Sequence, residues 1–401
     1  MSMLEKYFAD LEAALKHKLD EKTTARRRFI YEIARIGGRM FDREWASAWT
    51  TVFVPFEILY AMGVAGNFIE FVGAMLAGNG LSRPFFEKAE AEGFSTDSCS
   101  YHRTIIGAAR QGMFPAPDLL IGSSFPCDGG VKALLRVGEI CNKPVFLLHT
   151  PYEQTPESLD YLVMQYRAMI AHITEQTGRT LDPDKLRRAV HNNNVAREHI
   201  VRALDLCKNA PSPARSDDWK NFIIYVLLGG DDAAVDVARI FHEEFRHKHE
   251  TGVPGLPGEK YRLLWIQNRI QFKNNLIRKL EEDYRANVVI DELNYIYWEP
   301  MDESADPLEA LARRQLAHPL IGPVERRLDL LKKMAVEFGC HGAVNPSHWG
   351  CRQSGGARNM FKETLAQAGV PVIHLDVDCV DERNFSEGQL LTRLEAFMEM
   401  L

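Results

Sequence analysis

The chain of 401 residues lacks several features that would place it in a broad class of proteins at once. Its net charge is −7, so it lacks the basic excess that is typical of nucleic-acid-binding proteins. Residues 1–10 contain no apolar run, so we expect no secretory signal peptide. The most apolar long stretch, residues 51–77, contains the carboxylates of Glu57 and Glu70, which a bilayer-spanning helix rarely tolerates. These absences predict a cytoplasmic protein with no nucleic-acid partner and no membrane partner.

Cysteine is present, but its arrangement is not that of a disulfide framework. The seven cysteines are odd in number and widely spaced, and no CxxC pair occurs. In a reducing compartment this pattern favours metal binding, catalysis or simple burial over disulfide formation. A phosphate-binding P-loop is also absent, so we expect no nucleotide-hydrolysing site in this chain.

The sequence does contain enough apolar residues for sizeable cores, with 46% hydrophobic and 26% charged residues. Helical periodicity over residues 1–45 predicts an N-terminal helical arm. Short apolar runs alternate with helical patterns over residues 46–160 and again over 259–401, which predicts two α/β lobes with parallel sheets. Between the lobes, residues 161–258 form a predicted helical middle segment that ends in a linker rich in glycine and proline. The clearest predicted strands are 118–122, 144–149, 261–267, 287–291, 341–345 and 370–376.

Two cysteines follow predicted strands at equivalent places in the two lobes. Cys127 lies five residues past its strand and Cys351 lies six residues past its own. Ligands of open parallel sheets bind beyond the carboxyl ends of the strands. Cys99 stands at the start of a predicted helix over residues 100–110, where the helix dipole favours a thiolate. We therefore expect the three cysteines to converge at one crevice between the lobes.

Three converging thiolates suit an iron–sulfur cluster, because soft sulfur ligands select iron and leave one iron free for another ligand. Taken singly, each cysteine is more simply explained as an ordinary buried residue. The loop position of all three favours the cluster. A zinc site through Cys340, His341 and Cys351 is an alternative, although the CxxC spacing of structural zinc sites is missing.

Further motifs occur in order along the chain. The most specific is the run over residues 371–386, Pro-Val-Ile-His-Leu-Asp-Val-Asp-Cys-Val-Asp-Glu-Arg-Asn-Phe-Ser. The others are Cys99-Ser-Tyr, Pro115-Ala-Pro-Asp-Leu-Leu, Cys127, Pro151-Tyr152, Cys351, and Gly388-Gln389 with Thr392-Arg393-Leu-Glu-Ala-Phe397. With these motifs the chain resembles the 2-hydroxyacyl-CoA dehydratase and benzoyl-CoA reductase family over nearly its whole length.

The resemblance implies two Rossmann-like lobes and one [4Fe–4S] cluster held by Cys99, Cys127 and Cys351. It also implies a homologous second subunit, in a heterodimer or a homodimer, and a separate ATP-hydrolysing activator with its own [4Fe–4S] cluster. The activator would inject one low-potential electron. In the dehydratases that electron makes a ketyl radical from a 2-hydroxyacyl-CoA so that hydroxide leaves, and in the benzoyl-CoA reductases it reduces the aromatic ring. Such an enzyme is oxygen-sensitive and implies an anaerobic source.

The chain departs from the family pattern in its cysteines. Residues 49–57 contain none, where many relatives have one, and none lies between Cys99 and Cys127, which disfavours the double-cubane branch. We expect an aryl-CoA reductase of the benzoyl-CoA type, with an (R)-2-hydroxyacyl-CoA dehydratase as the alternative. A cluster-free two-lobed protein that binds a small metabolite is a third hypothesis.

Two residues are candidates for catalysis, His348 and Glu57. His348 stands three residues before Cys351 and could transfer a proton or hold the oxygen of a CoA thioester. A histidine at the surface or at a helix cap is the alternative. Glu57 follows Pro55 in an apolar stretch, where it either begins a helix or carries a proton with a pKa that burial raises.

Four other residues near the three cysteines also call for an interpretation. His102 and Arg103, one turn after Cys99, could stabilise negative charge on cluster or substrate, or form an exposed pair on the helix surface. Cys379 follows the last predicted strand and could contact the site. Cys340 precedes its strand, at the end away from the crevice, so we expect it to serve packing.

Overall fold

A computed structural model describes residues 3–19, 23–218, 224 and 226–401. Within these ranges the chain forms two parallel sheets of four strands each, surrounded by helices. The two sheets have the same strand order, in which the first strand of each lobe lies between the second and the third. The prediction of an α/β fold with two Rossmann-like lobes is confirmed.

The first lobe contains β1 to β4 in the order β2-β1-β3-β4. Strand β3 is buried along its whole length, as expected for the apolar run Leu-Leu-Ile in the interior of a parallel sheet. The chain order reverses between β1 and β3, where ligands of such sheets bind. The elements are β1 (Ala46–Thr50), α3 (Phe56–Ala61), β2 (Val64–Phe68), α4 (Ile69–Gly78), α5 (Arg83–Ala91), α6 (Ser100–Arg110), β3 (Leu119–Ser123), α7 (Asp128–Cys141) and β4 (Val145–Leu148).

The second lobe repeats this topology with the order β6-β5-β7-β8. Its reversal point lies between β5 and β7, so the loops after β3 and β7 occupy equivalent places. The elements are β5 (Tyr261–Trp265), α11 (Leu276–Tyr284), β6 (Ala286–Asp291), α12 (Pro307–Leu316), α13 (Val324–Glu337), β7 (Gly342–His348), α14 (Arg352–Gly355), α15 (Arg358–Ala366), β8 (Val372–Val377) and α16 (Glu387–Glu399), with short 3₁₀ turns at Glu292–Asn294 and Glu382–Asn384.

The remaining helices lie in the N-terminal arm and between the lobes in the chain. They are α1 (Met3–Lys16), α2 (Ala25–Arg39), α8 (Pro156–Thr177), α9 (Pro183–Cys207) and α10 (Asp232–Glu250). Thr155 and Asp182 cap α8 and α9 by accepting hydrogen bonds from backbone N–H groups, and a proline follows each cap. The arm is tied to α10 because Arg35 and Arg39 each lie 2.9 Å from the carboxylate of Asp231. Among the helices that the structure describes, none is both long and apolar enough to cross a membrane.

Candidate functional site

Each of the three predicted cysteine ligands stands immediately before a helix. Cys99 precedes α6, Cys127 precedes α7 in the loop after β3, and Cys351 precedes α14 in the loop after β7. All three are half-buried. At the starts of α6 and α7 the free backbone N–H groups favour a thiolate.

Contacts between the three loops bring these cysteines together. A side-chain Cβ on Gly350 would lie 2.5 Å from the backbone nitrogen of Cys99, so the loop of Cys351 packs directly on Cys99. The side-chain amide of Gln353 donates a hydrogen bond of 2.9 Å to the carbonyl of Pro126, which joins the loop of Cys351 to that of Cys127. The structure therefore places the three loops around one site, at the equivalent ends of β3 and β7.

Cys99 lies beside two histidines, His102 and His348. Its Sγ lies 3.5 Å from Nε2 of His348. Burial opposes ionisation, but the charge and hydrogen bond of His102, together with His348, lower the pKa of Cys99 to about 5. Burial raises the pKa of Cys351, although His348 opposes this. Cys99 is thus held as a thiolate more readily than Cys351.

His348 is buried at the end of β7, so the alternative of a surface histidine is wrong. Its Nδ1 accepts a hydrogen bond of 3.0 Å from the backbone N–H of Cys379. The ring of Tyr101 packs edge-on against the imidazole, with 5.4 Å between ring centroids. Both ring nitrogens of His348 therefore face protein atoms, and Cys379 contacts the site through its backbone.

Glu70 is a residue of this site that the sequence analysis missed. Its Oε1 lies 3.4 Å from Nε2 of His102, and its Oε2 accepts a hydrogen bond of 3.2 Å from the backbone N–H of Val52. His102 in turn faces Cys127, since a Cβ on Gly129 would lie 3.3 Å from Cys127 Sγ and 3.4 Å from the His102 ring. The sequence did contain a signal for Glu70, because a carboxylate within an apolar stretch is the same feature that made Glu57 a candidate.

Arg103 and His102 are both buried, so the alternative of an exposed helix pair is wrong. The guanidinium of Arg103 forms ion pairs with Glu90, with Asp378 at 3.4 Å and with Asp381 at 3.3 Å. The pairs with Asp378 and Asp381 join α6, which follows Cys99, to the segment after β8. Arg103 therefore fixes the position of one lobe's cysteine helix against the other lobe.

Glu57 lies in the first turn of α3 and is 1% exposed. Its Oε1 lies 2.6 Å from a guanidinium nitrogen of Arg314 and accepts a hydrogen bond of 2.6 Å from the side-chain amide of Asn193. Glu57 therefore begins a helix, and it is also the buried ion-pair partner of Arg314 on α12.

Glu57 and Arg314 line a cavity of about 40 Å³ that aromatic rings enclose. The imidazole of His318 lies at the centre of these rings, with centroid distances of 4.6 Å to Phe53, 5.0 Å to Phe125 and 4.4 Å to Tyr297. Burial lowers the pKa of His318 to about 3, so the ring is neutral at ordinary pH.

The cavity and the cysteine site share two chain segments. Phe125 lines the cavity and precedes Cys127 by two residues. Phe53 also lines it and follows Val52, whose N–H is bound by Glu70. Phe53 has a φ of +66°, a strained conformation for a bulky residue and one that is concentrated at functional sites. A cavity lined by aromatic rings and by the Glu57–Arg314 pair thus lies beside the loop of Cys127.

The zinc alternative finds no support in this geometry. Cys340 and His341 precede β7 whereas Cys351 follows it, and Nδ1 of His341 accepts a hydrogen bond from the backbone N–H of Arg262. Cys340 is buried, as expected for packing. Throughout the described ranges, no three His, Cys, Asp or Glu side chains are disposed to hold a single metal ion.

Comparison with known proteins gives a consistent match. The family described as 2-hydroxyglutaryl-CoA dehydratase, D-component, matches residues 51–401. The chain is 25% identical to the (R)-phenyllactyl-CoA dehydratase alpha subunit of Clostridium sporogenes, over 97% of this chain and 96% of that protein. It is 29% identical to a benzoyl-CoA reductase subunit of Thauera aromatica, over 78% of each. It is 24% identical to the lactoyl-CoA dehydratase alpha subunit of Anaerotignum propionicum, over 88% of this chain and 90% of that protein. The resemblance inferred from the motifs is confirmed, and the chain belongs to the 2-hydroxyglutaryl-CoA dehydratase D-component family of enzyme subunits.

Proposed function

We propose that this chain is the [4Fe–4S] subunit of an oxygen-sensitive enzyme that acts on a CoA thioester by one-electron chemistry. The observation that carries the proposal is the convergence of the loops of Cys99, Cys127 and Cys351. The relatives named above act, by their names, on phenyllactyl-CoA, benzoyl-CoA and lactoyl-CoA.

The residues present fit such a cluster. Three cysteines leave one iron without a thiolate ligand, and a cluster does not require its ligands to meet at one metal ion. Gly350 lacks a side chain where the loop of Cys351 packs on Cys99, and Gly129 lacks one beside Cys127 Sγ and the His102 ring. When bound, the cluster would supply one low-potential electron to the substrate.

The protein's own residues would position the substrate and control its protons. The rings of Phe53, Phe125 and Tyr297 would contact the acyl group. The cavity that they line, about 40 Å³, is smaller than a phenyl ring and would have to widen to admit one. Glu57, held by Arg314, would exchange a proton with the acyl group or accept its hydrogen bond. His102 would keep Cys99 ionised, and the carboxylate of Glu70 would orient His102.

Two reactions are candidates for this site. The aromatic rings at the cavity favour an aryl acyl group packed against them and hence reduction of a benzoyl-CoA-type substrate. Dehydration of an (R)-2-hydroxyacyl-CoA is the second candidate, favoured by the match to the phenyllactyl-CoA dehydratase subunit over 97% of this chain. Benzoyl-CoA and phenyllactyl-CoA each carry a phenyl ring near the thioester.

The proposal includes two protein partners and a cytoplasmic location. The relatives are named as subunits, which supports a homologous second subunit for this chain. No P-loop occurs in the sequence, so a separate ATP-hydrolysing activator would deliver the electron.

The test is the iron and acid-labile sulfide content of anaerobically purified protein. We expect about four irons per chain in the wild type and loss of iron in Cys99→Ser, Cys127→Ser and Cys351→Ser. Cys141→Ser is the matched control, because Cys141 is also half-buried but ends α7 instead of preceding it. Wild-type protein without iron would contradict the proposal and favour a cluster-free metabolite-binding protein. Turnover of benzoyl-CoA against a 2-hydroxyacyl-CoA, with activator, ATP and reductant, separates the two reactions.

A further inference from the structure

We infer that His348 raises the reduction potential of the cluster by donating an N–H···S hydrogen bond to the sulfur of Cys99. His348 acts here as a positioning residue through Cys99, without touching the substrate. The inference rests on the proposed function, because it requires that Cys99 be a cluster ligand.

The hydrogen bond to Nδ1 determines which nitrogen of His348 carries the proton. The backbone N–H of Cys379 points at Nδ1 from 3.0 Å, and a backbone amide can only donate. With Nδ1 as the acceptor of that bond, the ring proton lies on Nε2. Nε2 is the atom that lies 3.5 Å from Sγ of Cys99, a hydrogen-bonding distance for the large sulfur atom.

The surroundings keep the imidazole in this orientation. The backbone N–H of His348 donates a hydrogen bond of 3.1 Å to the hydroxyl of Ser354, which fixes the end of β7. Tyr101 packs against the ring, and the His348 side chain is fully shielded from solvent. Because no water competes for the N–H, its hydrogen bond to sulfur is stronger than the same bond at the surface.

Such a bond has a definite electronic consequence. Hydrogen bonds to the sulfurs of an iron–sulfur cluster are one of the factors that set its potential. A donor directed at a ligand sulfur stabilises the more negative, reduced state. Loss of the donor should therefore make the cluster harder to reduce, by about tenfold in the equilibrium constant, which is about 59 mV for one electron.

Two substitutions test the two hydrogen bonds of the His348 ring one at a time. In His348→Asn the side-chain oxygen can replace Nδ1 as acceptor for Cys379, but no atom reaches Cys99. In His348→Gln the longer side chain can place an N–H near the position of Nε2. His374→Asn is the matched control, because His374 lies on β8 of the same lobe and faces Asn345.

The experiment is an equilibrium redox titration followed by EPR, with iron and sulfide measured in the same samples. We expect the potential to fall in His348→Asn and to stay near the wild-type value in His348→Gln and His374→Asn. Equal potentials in the wild type and His348→Asn, at full iron content, would overturn the inference. Loss of iron from either His348 variant, with an unchanged potential in the remaining clusters, would overturn it in favour of a structural role. Iron missing from the wild type would instead refute the proposed function.

Discussion

The carboxylate of Glu57 lies 2.6 Å from the guanidinium of Arg314, and this pair joins α3 of the first lobe to α12 of the second. The carboxylate is 1% exposed. Removing one partner of a buried ion pair leaves the other charge uncompensated. The pair therefore serves stability as well as any chemistry in the adjacent cavity.

Glu57→Gln should lower the free energy of unfolding by about 3 kcal/mol, because Arg314 would keep its charge without a counter-ion. The measurement is chemical denaturation at neutral pH. Glu198→Gln is the control, since Glu198 pairs with Arg202 at the exposed surface and should cost less than about 1 kcal/mol. Equal effects of the two substitutions would contradict the structural role of the Glu57 pair.

Gly350→Ala should reduce the iron content of the protein strongly. Its φ is +71°, and a Cβ there would lie 2.5 Å from the backbone nitrogen of Cys99, so the loop of Cys351 would have to move away. Gly252→Ala has the same backbone strain, with a φ of +68°, but no atom lies within 4 Å of its Cβ. Iron analysis of both variants checks this expectation, which fails if the two lose iron equally.

Protein stability should fall in mild acid because of His318. Burial holds its pKa at about 3 in the folded state, below the ordinary value of 6.5. Between these values the unfolded chain binds a proton that the folded chain does not, so stability is lost as the pH falls from about 6.5 toward 3. His318→Phe should flatten the pH dependence of the unfolding midpoint in this range. His249→Phe, at an exposed position near the end of α10, should not. An unchanged pH slope in His318→Phe would contradict the expectation.

Filling the cavity should weaken binding of acyl-CoA selectively. Val226 lines the cavity and is 7% exposed, so Val226→Phe would place a ring in the space proposed for the acyl group. We expect binding of benzoyl-CoA or phenyllactyl-CoA, measured by calorimetry, to weaken at least about tenfold. Free CoA is the control ligand, because it has no acyl group. If the binding of free CoA weakens by the same factor, the substitution acts on the fold and not on the pocket.

Local patterns in the sequence predicted much of the fold. The helix over residues 100–110 was predicted with the bounds that the structure shows, and the strands at β3 and β7 were found within a few residues. Strands β1 and β2 were missed because Ala-Ser-Ala-Trp-Thr and Val-Ala-Gly-Asn-Phe have little strand propensity of their own. Their conformation comes from pairing in the sheet. Helix α12 was also missed, although Asp306 and Pro307 form a usable start signal.

The candidate site was predictable where strand ends position residues, and not where distant segments meet. Cys127 and Cys351 were located because ligands of parallel sheets lie beyond the carboxyl ends of their strands. The contact between Glu70 and His102 joins two helices of the first lobe, and no periodicity encodes it. The same is true of Arg314 as the partner of Glu57, and of the aromatic rings around His318.

Two of the proposed cluster ligands belong to the first lobe and one to the second, with consequences for biosynthesis. While the ribosome is still making the second lobe, the nascent chain holds Cys99 and Cys127 but not Cys351. Cys351 follows β7, the third strand of the second sheet, so the third ligand is present only after most of that lobe has been made. Cluster insertion would therefore follow translation, and the cell's iron–sulfur assembly machinery would have to recognise a finished, folded chain.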